Sequence, residues 1–293
     1  MLVPTYRRRP TTLHSARAGV ASLYCVGFAL AGILFPHPLV LAAVACGVAS
    51  AGAFAGVGGQ LMTHSLRLAL PFALLVIVIN GLVSQRGATV VLRLGTLAGH
   101  RFDVTLESLG WGALTAFTIC CVFLAFGLFA ACVDPDELLR LMRRVSYRSA
   151  LTGSLATRLV PVIARDATRM GDAARCRPNP PGRLEVTRAA LTGALERSVE
   201  VAAALEVRGY AVARPPRRVH VRWSRHDWRV LAGAALLLGA CVAARAGGVA
   251  WVEHDPALRV GAGAGELALA LAVLAAGVLP FAGAGARLGV SRG

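Results

Sequence analysis

The chain contains no lysine: all 31 of its basic residues are arginine. A phosphate-binding loop of the Walker type ends in a lysine, so this chain is not itself a P-loop ATPase. Schiff-base chemistry on a lysine amine is closed to it as well. Acids are scarce, 15 against 31 cations, which leaves a net charge of +16. Aromatic residues make up only 6% of the chain, so a hydrophobic content of 56% is carried mainly by Ala, Leu and Val. The seven cysteines (Cys25, Cys46, Cys120, Cys121, Cys132, Cys176 and Cys241) form no C-x-x-C pair, and most lie in apolar runs. They read as buried free thiols rather than as a disulfide framework. The histidines are scattered and make no H-E-x-x-H; His220 and His226, the closest pair, do not amount to a metal site.

Charge is also missing over a long interval. Between Arg17 and Arg67 there is no charged residue, roughly twice the length that one membrane helix of about 20 residues needs. With a mean hydropathy of +0.62, the chain falls outside the ordinary soluble class. Phe35-Pro36-His37-Pro38 breaks the interval, predicting spans near 18–35 and 39–58. A second span follows the first directly, so the first is not read as a cleaved signal peptide. The Gly and Ala of the second allow close helix approach and predict a place inside a bundle. Further spans are expected near 66–85, with Pro71 and with Asn80 as an interhelical hydrogen-bonding group, and near 109–133. Between them, alternation around Val90, Leu92 and Leu94 predicts a short hairpin. After a polar stretch, 134–228, spans resume near 230–244 and 267–284, with Trp223, Trp228 and Trp251 as interface anchors. Arg229 and Arg245 bound the fifth span closely and make it short, its reach extended by snorkelling.

The fold expected is therefore an all-α integral membrane protein of about six spans: an N-terminal membrane region 1–133, a cytoplasmic region 134–228 and a C-terminal membrane region 229–293. Six spans put both termini on one side. The arginines at 7, 8 and 9, Arg67, the central region, Arg287 and Arg292 then share that side, which the positive-inside rule makes cytoplasmic. The central region alone holds 18 of the arginines, so the basic charge needs no nucleic-acid partner.

That region carries the most specific pattern. Asp134-Pro135-Asp136-Glu137 is a helix start, with a capping acid, a proline at the first helical position and acids facing the positive end of the dipole. A longer helix begins near Ser149, with Leu151, Leu155, Leu159, Val162 and Ile163 on one face, Pro161 expected to kink or split it, and an end at Ala174-Arg175-Cys176 before a Pro-rich turn. A second runs from about Arg183, with Leu184, Leu191, Leu195, Val199 and Ala202 on its face, to Val207-Arg208-Gly209. Gly209 suits the terminating position. A cation at a helix C-terminus is favoured by the dipole alone, by about 0.3–1 kcal/mol, which would explain one such arginine. Two of them, on rods roughly 40 Å long, also match a planar fork of donors able to hold a carboxylate on a partner.

These residues resemble the transmembrane T component of energy-coupling factor (ECF) transporters, the EcfT/CbiQ-like family. Its mark is two short motifs, usually Ala-Arg-Gly or a close variant, at helix ends. Ala174-Arg175-Cys176 is similar to the first, with Cys for the usual Gly, and Val207-Arg208-Gly209 to the second, with Val for Ala. Arg158-Leu159-Val160-Pro161, and Pro71 with Asn80, also look like family features. The resemblance covers about residues 60 to 280. It implies an ABC-type importer for a vitamin or a transition-metal ion, in a bacterial cytoplasmic membrane. Arg175 and Arg208 would each dock in a groove of one of two ABC ATPase subunits. The helix faces (Leu151, Leu155, Leu159, Pro161, Leu191, Leu195, Val199) would contact a small membrane S component that binds the substrate. ATP would be bound by the partner subunits; this chain would bind no cofactor or metal and catalyse nothing.

Other classes fit less well. A self-contained permease needs polar groups lining a path, and the spans have few beyond Asn80. A membrane enzyme needs paired acids, a His cluster or a nucleophile motif, and none stands in a plausible site. A membrane scaffold or receptor binding another cytoplasmic protein through the same helices shares the architecture and differs in partner.

Overall fold

A computed structural model of the chain describes residues 9, 11–83, 90–97, 100–142, 147–179, 181–209, 223–248 and 263–282. The anchor expected at Trp251 and the arginines at 7, 8, 287 and 292 lie outside the described residues. The architecture is helical, with one two-stranded hairpin. The helices are α1 (Thr12–Ser15), α2 (Ala18–Leu34), α3 (Pro38–Phe54), α4 (Gly58–Val83), α5 (Leu106–Cys132), α6 (Pro135–Met142), α7 (Tyr147–Arg175), α8 (Arg183–Val207), α9 (Arg225–Ala246) and α10 (Ala264–Val278), the last followed by a 3-10 turn, Leu279–Phe281. The hairpin pairs β1 (Val90–Leu97) with β2 (His100–Thr105) antiparallel between α4 and α5, where the alternation placed one. Among the described residues four helices (α4, α5, α9 and α10 with its 3-10 turn) are long and apolar enough to cross a membrane, and α2 and α3 are shorter apolar helices. Each of those two has 17 residues, or about 26 Å of helix, close to the hydrocarbon thickness of a bilayer.

Contacts divide the chain into two compact units, residues 1–134 with 223–293, and residues 135–222. In the first, α4 lies along α5, α2 against α5 and α9, and α3 against α10. Its core is built from Tyr24, Phe28, Leu41, Val44, Val48, Leu128 and Leu237, all essentially inaccessible. The hydroxyl of Tyr24 donates to the carbonyls of Ala276 (3.0 Å) and Gly277 (3.3 Å), which lack an ordinary helical partner near the end of α10. Small residues set the helix spacing. A Cβ placed on Gly277 would lie 2.8 Å from the Cα of Gly47 and 3.0 Å from its carbonyl oxygen, so α3 and α10 touch backbone to backbone. This is the close approach that the Gly and Ala content of the second span predicts. Gly277→Leu should force the two helices apart and lower the thermal midpoint of the detergent-solubilised protein sharply, since overpacking typically costs about 1–3 kcal/mol and backbone cannot yield like a side chain. Gly59→Ala, at a site with nothing within 4 Å, is the matched control and should leave it unchanged or slightly higher.

Three details differ from the sequence outline. The helix that carries the third expected span begins at Gly58, ahead of Leu66, so Arg67 stands exposed well inside α4 rather than near its start. Gly56, at φ 72°, makes the tight turn that lets α4 start so early. The helix that carries the fifth expected span extends beyond it: Ser224 caps α9 through the amides of His226 and Asp227, and Asp227 returns the bond, giving a helix of 22 residues that starts ahead of Arg229. Asn80 donates to the Val76 carbonyl of its own helix at 3.0 Å, and its contribution across helices is a close packing of its Cβ against Gly112 of α5. The cysteines are all free, but Cys46 and Cys176 are exposed; Cys25, Cys121, Cys132 and Cys241 are buried.

Candidate coupling site

The second compact unit holds the arginine motifs. Pro135 opens α6 with Asp136 and Glu137 in its first turn, as the sequence predicts. Leu139 of α6 packs on Gly153 of α7. Helix α7 runs unbroken for 29 residues with Pro161 inside it, so the proline does not split the helix; Pro161 faces outward, where a lost backbone bond can be met by solvent. Leu155, Leu159, Val162 and Ile163 are half-buried along one side of α7, while the side chain of Leu151 lies outside the described side chains.

Two contacts fix the direction of α8 against α7. Arg197 Nη1 donates to Asp166 Oδ2 at 2.6 Å, and the tip of Met170 lies beside Gly193. A step of one turn forward on α7 matches one turn back on α8, so the pair is antiparallel. The α8 side turned inward is its small-residue side, with Ala190 buried and Gly193, Ala194 and Arg197 half-buried. Leu191, Leu195 and Val199, with Leu184, form a separate stripe, and it is open: they are 57%, 67%, 67% and 64% exposed. These residues are the ones the sequence pattern aligns on one face; a second side of α8, built from smaller residues, makes the contact with α7.

Arg175 is the last residue of α7. Its side chain is 83% exposed and its ion pair with Asp172 is long, 3.6 Å, between two exposed groups. Such a pair is worth about 0–1 kcal/mol and does not hold the guanidinium. Ala174 beside it is buried and Cys176 is exposed just past the helix end. Arg208 caps the C-terminus of α8, its amide bonded to the Ala204 carbonyl. Gly209 follows at φ 73°, its amide bonded to the Glu206 carbonyl at 2.8 Å. That left-handed residue ends the helix as expected, because a Cβ there would be strained. Val207 is 90% exposed. Both arginines therefore project from the negative end of a helix dipole with no strong partner among the described residues. The register of the Arg197–Asp166 and Met170–Gly193 contacts sets Arg175 level with about residue 188 of α8, so the two sites are separated along the hairpin by about 30 Å.

The family model of the CbiQ cobalt transport proteins matches residues 10–221 of this chain. The chain belongs to that family. No curated protein sequence matches it. The match spans α1 to α8, and so includes both arginine motifs. A CbiQ family member with these apolar helices is an integral membrane protein of a transport system that works in a complex. Among the described residues no group of three or more His, Cys, Asp or Glu is placed to hold a metal ion.

The residue that sequence reasoning overlooked is Asp227. It is 2% exposed. Its Oδ1 accepts the Arg17 amide at 2.8 Å and its Oδ2 accepts the Ser224 amide at 2.8 Å, with the Arg17 guanidinium 3.6 Å away. It thus places a negative charge at the N-terminal ends of both α2 and α9. The available signal was Ser224-Arg225-His226-Asp227 before an apolar run, a capping-box spacing.

Proposed function

We propose that this chain is the transmembrane coupling subunit of an ECF-type ABC importer. It transmits ATP-driven movement of two ATPase subunits to a substrate-binding S component, for uptake of a vitamin or a transition-metal ion. Residues 134–228 act as the cytoplasmic coupling region between membrane regions 1–133 and 229–293, in a bacterial cytoplasmic membrane with both termini cytoplasmic. Arg175 and Arg208, with Ala174, Cys176, Val207 and Gly209 shaping the two helix ends, each enter an acidic groove on one ATPase. The open stripe of Leu191, Leu195 and Val199, with Leu155, Leu159 and Pro161 on α7, meets the S component. ATP is bound and hydrolysed by the ATPases, and this chain supplies no catalytic group.

The observation that carries this reading is the pair of exposed arginines at two helix ends about 30 Å apart, one for each half of an ATPase dimer. A rigid hairpin with a cationic fork at either end suits the reception of movement from two sites at once. Affinity purification of the chain from its native membranes in mild detergent should bring down cassette ATPases and a small hydrophobic protein. Recovery of the S component would name the substrate. Recovery of a different cytoplasmic protein with no ATPase would overturn the importer reading in favour of a membrane scaffold or receptor.

A further inference from the structure

Helix α4 is the least covered of the four membrane-length helices among the described residues. It lies along α5 and meets α3 at the turn between them. These packings set the depth of Arg67. Ser65 and Asn80 of α4 lie against Gly127 and Gly112 of α5. A step forward on α4 therefore matches a step back on α5, and Arg67 is level with about residue 125, roughly 10 Å inside the end of α5 at Cys132. The end of α3 is a second reference. A Cβ on Gly58 would lie 3.2 Å from the Cα of Ala53, and Leu61 packs on Gly52, so α4 starts where α3 ends. Arg67 is about 14 Å further along α4, measured from a helix that needs all of its 17 residues to cross the hydrocarbon. Both references put the Arg67 backbone inside the hydrocarbon rather than at its edge. The Arg67 side chain is exposed and makes no ion pair or hydrogen bond among the described residues. Its polar neighbours are satisfied by their own helix: Thr63 donates to the Gly59 carbonyl at 2.9 Å, and the His64 ring is bonded to the Gln60 carbonyl at 3.0 Å. One turn on, Pro71 stands exposed inside the helix and has no amide to give to the Arg67 carbonyl. A guanidinium without a partner and a carbonyl without its usual helical donor thus meet at one point on an open membrane helix.

We propose that this face of α4 receives a membrane helix of a different chain, which brings a carboxylate to the Arg67 guanidinium and a hydroxyl or amide donor to the Arg67 carbonyl. Leu70 and Leu74, 57% and 65% exposed, adjoin the point and supply apolar contact. The contact holds whether or not the arginine ends of α7 and α8 dock on ATPases. A charge within the hydrocarbon is costly unless it is paired, and a backbone group there must find a partner in protein. This chain does not supply the acid from its first membrane region: between Arg17 and Asp134 its only acids are Asp103 and Glu107, in β2 and the first turn of α5, at the opposite end of that helix. Residues 58–83 contain no acid, so a second copy meeting α4 to α4 would set one Arg67 against the other. Headgroup phosphates reached by snorkelling would answer the guanidinium but not the carbonyl, because a phosphodiester has no hydrogen to donate.

Photo-cross-linking of the full chain in its native membranes tests this, with p-benzoylphenylalanine at Leu70 or Leu74, and at the equally open Leu271 of α10 as the comparison. The two α4 positions should capture one membrane protein that Leu271 does not. In an Arg67→Leu background the yield of that adduct should fall at least tenfold, as for a lost charge-assisted pair. The thermal midpoint of the isolated chain in detergent should stay the same or rise, because the guanidinium has no partner within it. Pro71→Ala returns an amide to the carbonyl, and should lower the yield severalfold while raising the midpoint. The captured peptide should hold an Asp or Glu within an apolar stretch. Arg67→Glu should lose the adduct, and arginine in place of the partner's acid should restore it. Adducts with lipid alone, or with a second copy of this chain, would overturn the proposal, as would a partner captured equally well in the Arg67→Leu background. A sharp fall in midpoint for Arg67→Leu would also overturn it, by showing that the guanidinium is held from within the chain. A native chain that brings down no ATPase would instead sink the coupling role and leave the cross-linking result standing.

Discussion

Arg175→Glu combined with Arg208→Glu should abolish co-purification of the ATPases while leaving the chain inserted and monodisperse. A guanidinium seated on a carboxylate makes charge-assisted hydrogen bonds worth about 1.5–3 kcal/mol each, and removal of one partner leaves the other charge stranded. Each single reversal should therefore weaken docking by roughly 10- to 100-fold, and the double reversal should take it below detection. The fold has little to lose. The only ion pair of Arg175 among the described residues is solvent-exposed, and Arg208 stands beyond the last helical residue of α8. An acid at a helix C-terminus costs about 0.3–1 kcal/mol through the dipole. Arg175→Gln with Arg208→Gln isolates that contribution. It removes the same contacts without placing an acid at either end, and should lose the ATPases to nearly the same degree. Lysine at both sites should give intermediate binding, because an ammonium keeps the charge but not the bidentate fork. If ATPases bind the double reversal as well as the native chain, the arginine ends are not the docking contacts.

Asp227→Ala should be among the most destabilising single substitutions in the chain. It removes the acceptor of two backbone amides and the counter-charge of Arg17, whose side chain is only 31% exposed. Breaking a buried pair by deleting one member costs about 3–5 kcal/mol. At about 2–4 °C per kcal/mol for a unit of this size, the apparent midpoint in detergent should fall on the order of 10 °C. Arg229→Ala, on the same helix and only half-buried, is the comparison and should change it little. An Asp227→Ala midpoint within a degree or two of the native protein would show that the network carries no net stability.

Most of the helical plan was legible because the bilayer imposes a coarse rule. Uninterrupted apolar length marked α2, α3, α5 and α10 nearly to their ends, and the Pro-rich break at Phe35-Pro36-His37 located the turn between the first two. The same rule failed where a helix outruns its apolar stretch. Gln60, Thr63, His64 and Arg67 belong to α4, and Arg225, Asp227 and Arg229 to α9, because helix formation follows backbone hydrogen bonding and capping rather than hydropathy. The arginine ends were legible because proline and glycine punctuate them, at Pro178 after α7 and Gly209 after α8. Pairings were not. Nothing local to Gly47 announces Gly277, and nothing local to Arg17 announces Asp227; a one-dimensional pattern carries the face of a helix but not its neighbour.

The meeting of Gly47 with Gly277 bears on how the protein is made. About 230 residues separate the two positions, so at ~5–20 residues per second some 10–50 s pass between synthesis of the first and the second. Throughout that time α3 is already in place with its glycine face uncovered, and α2 waits likewise for α9. The bundle closes only when the last helix arrives, after the whole central region has emerged from the ribosome. Biogenesis therefore has an interval in which these faces of the early helices depend on lipid or on the insertion machinery for cover, and a ribosome that stops after residue 221 releases a chain in which α2 lacks α9 and α3 lacks α10.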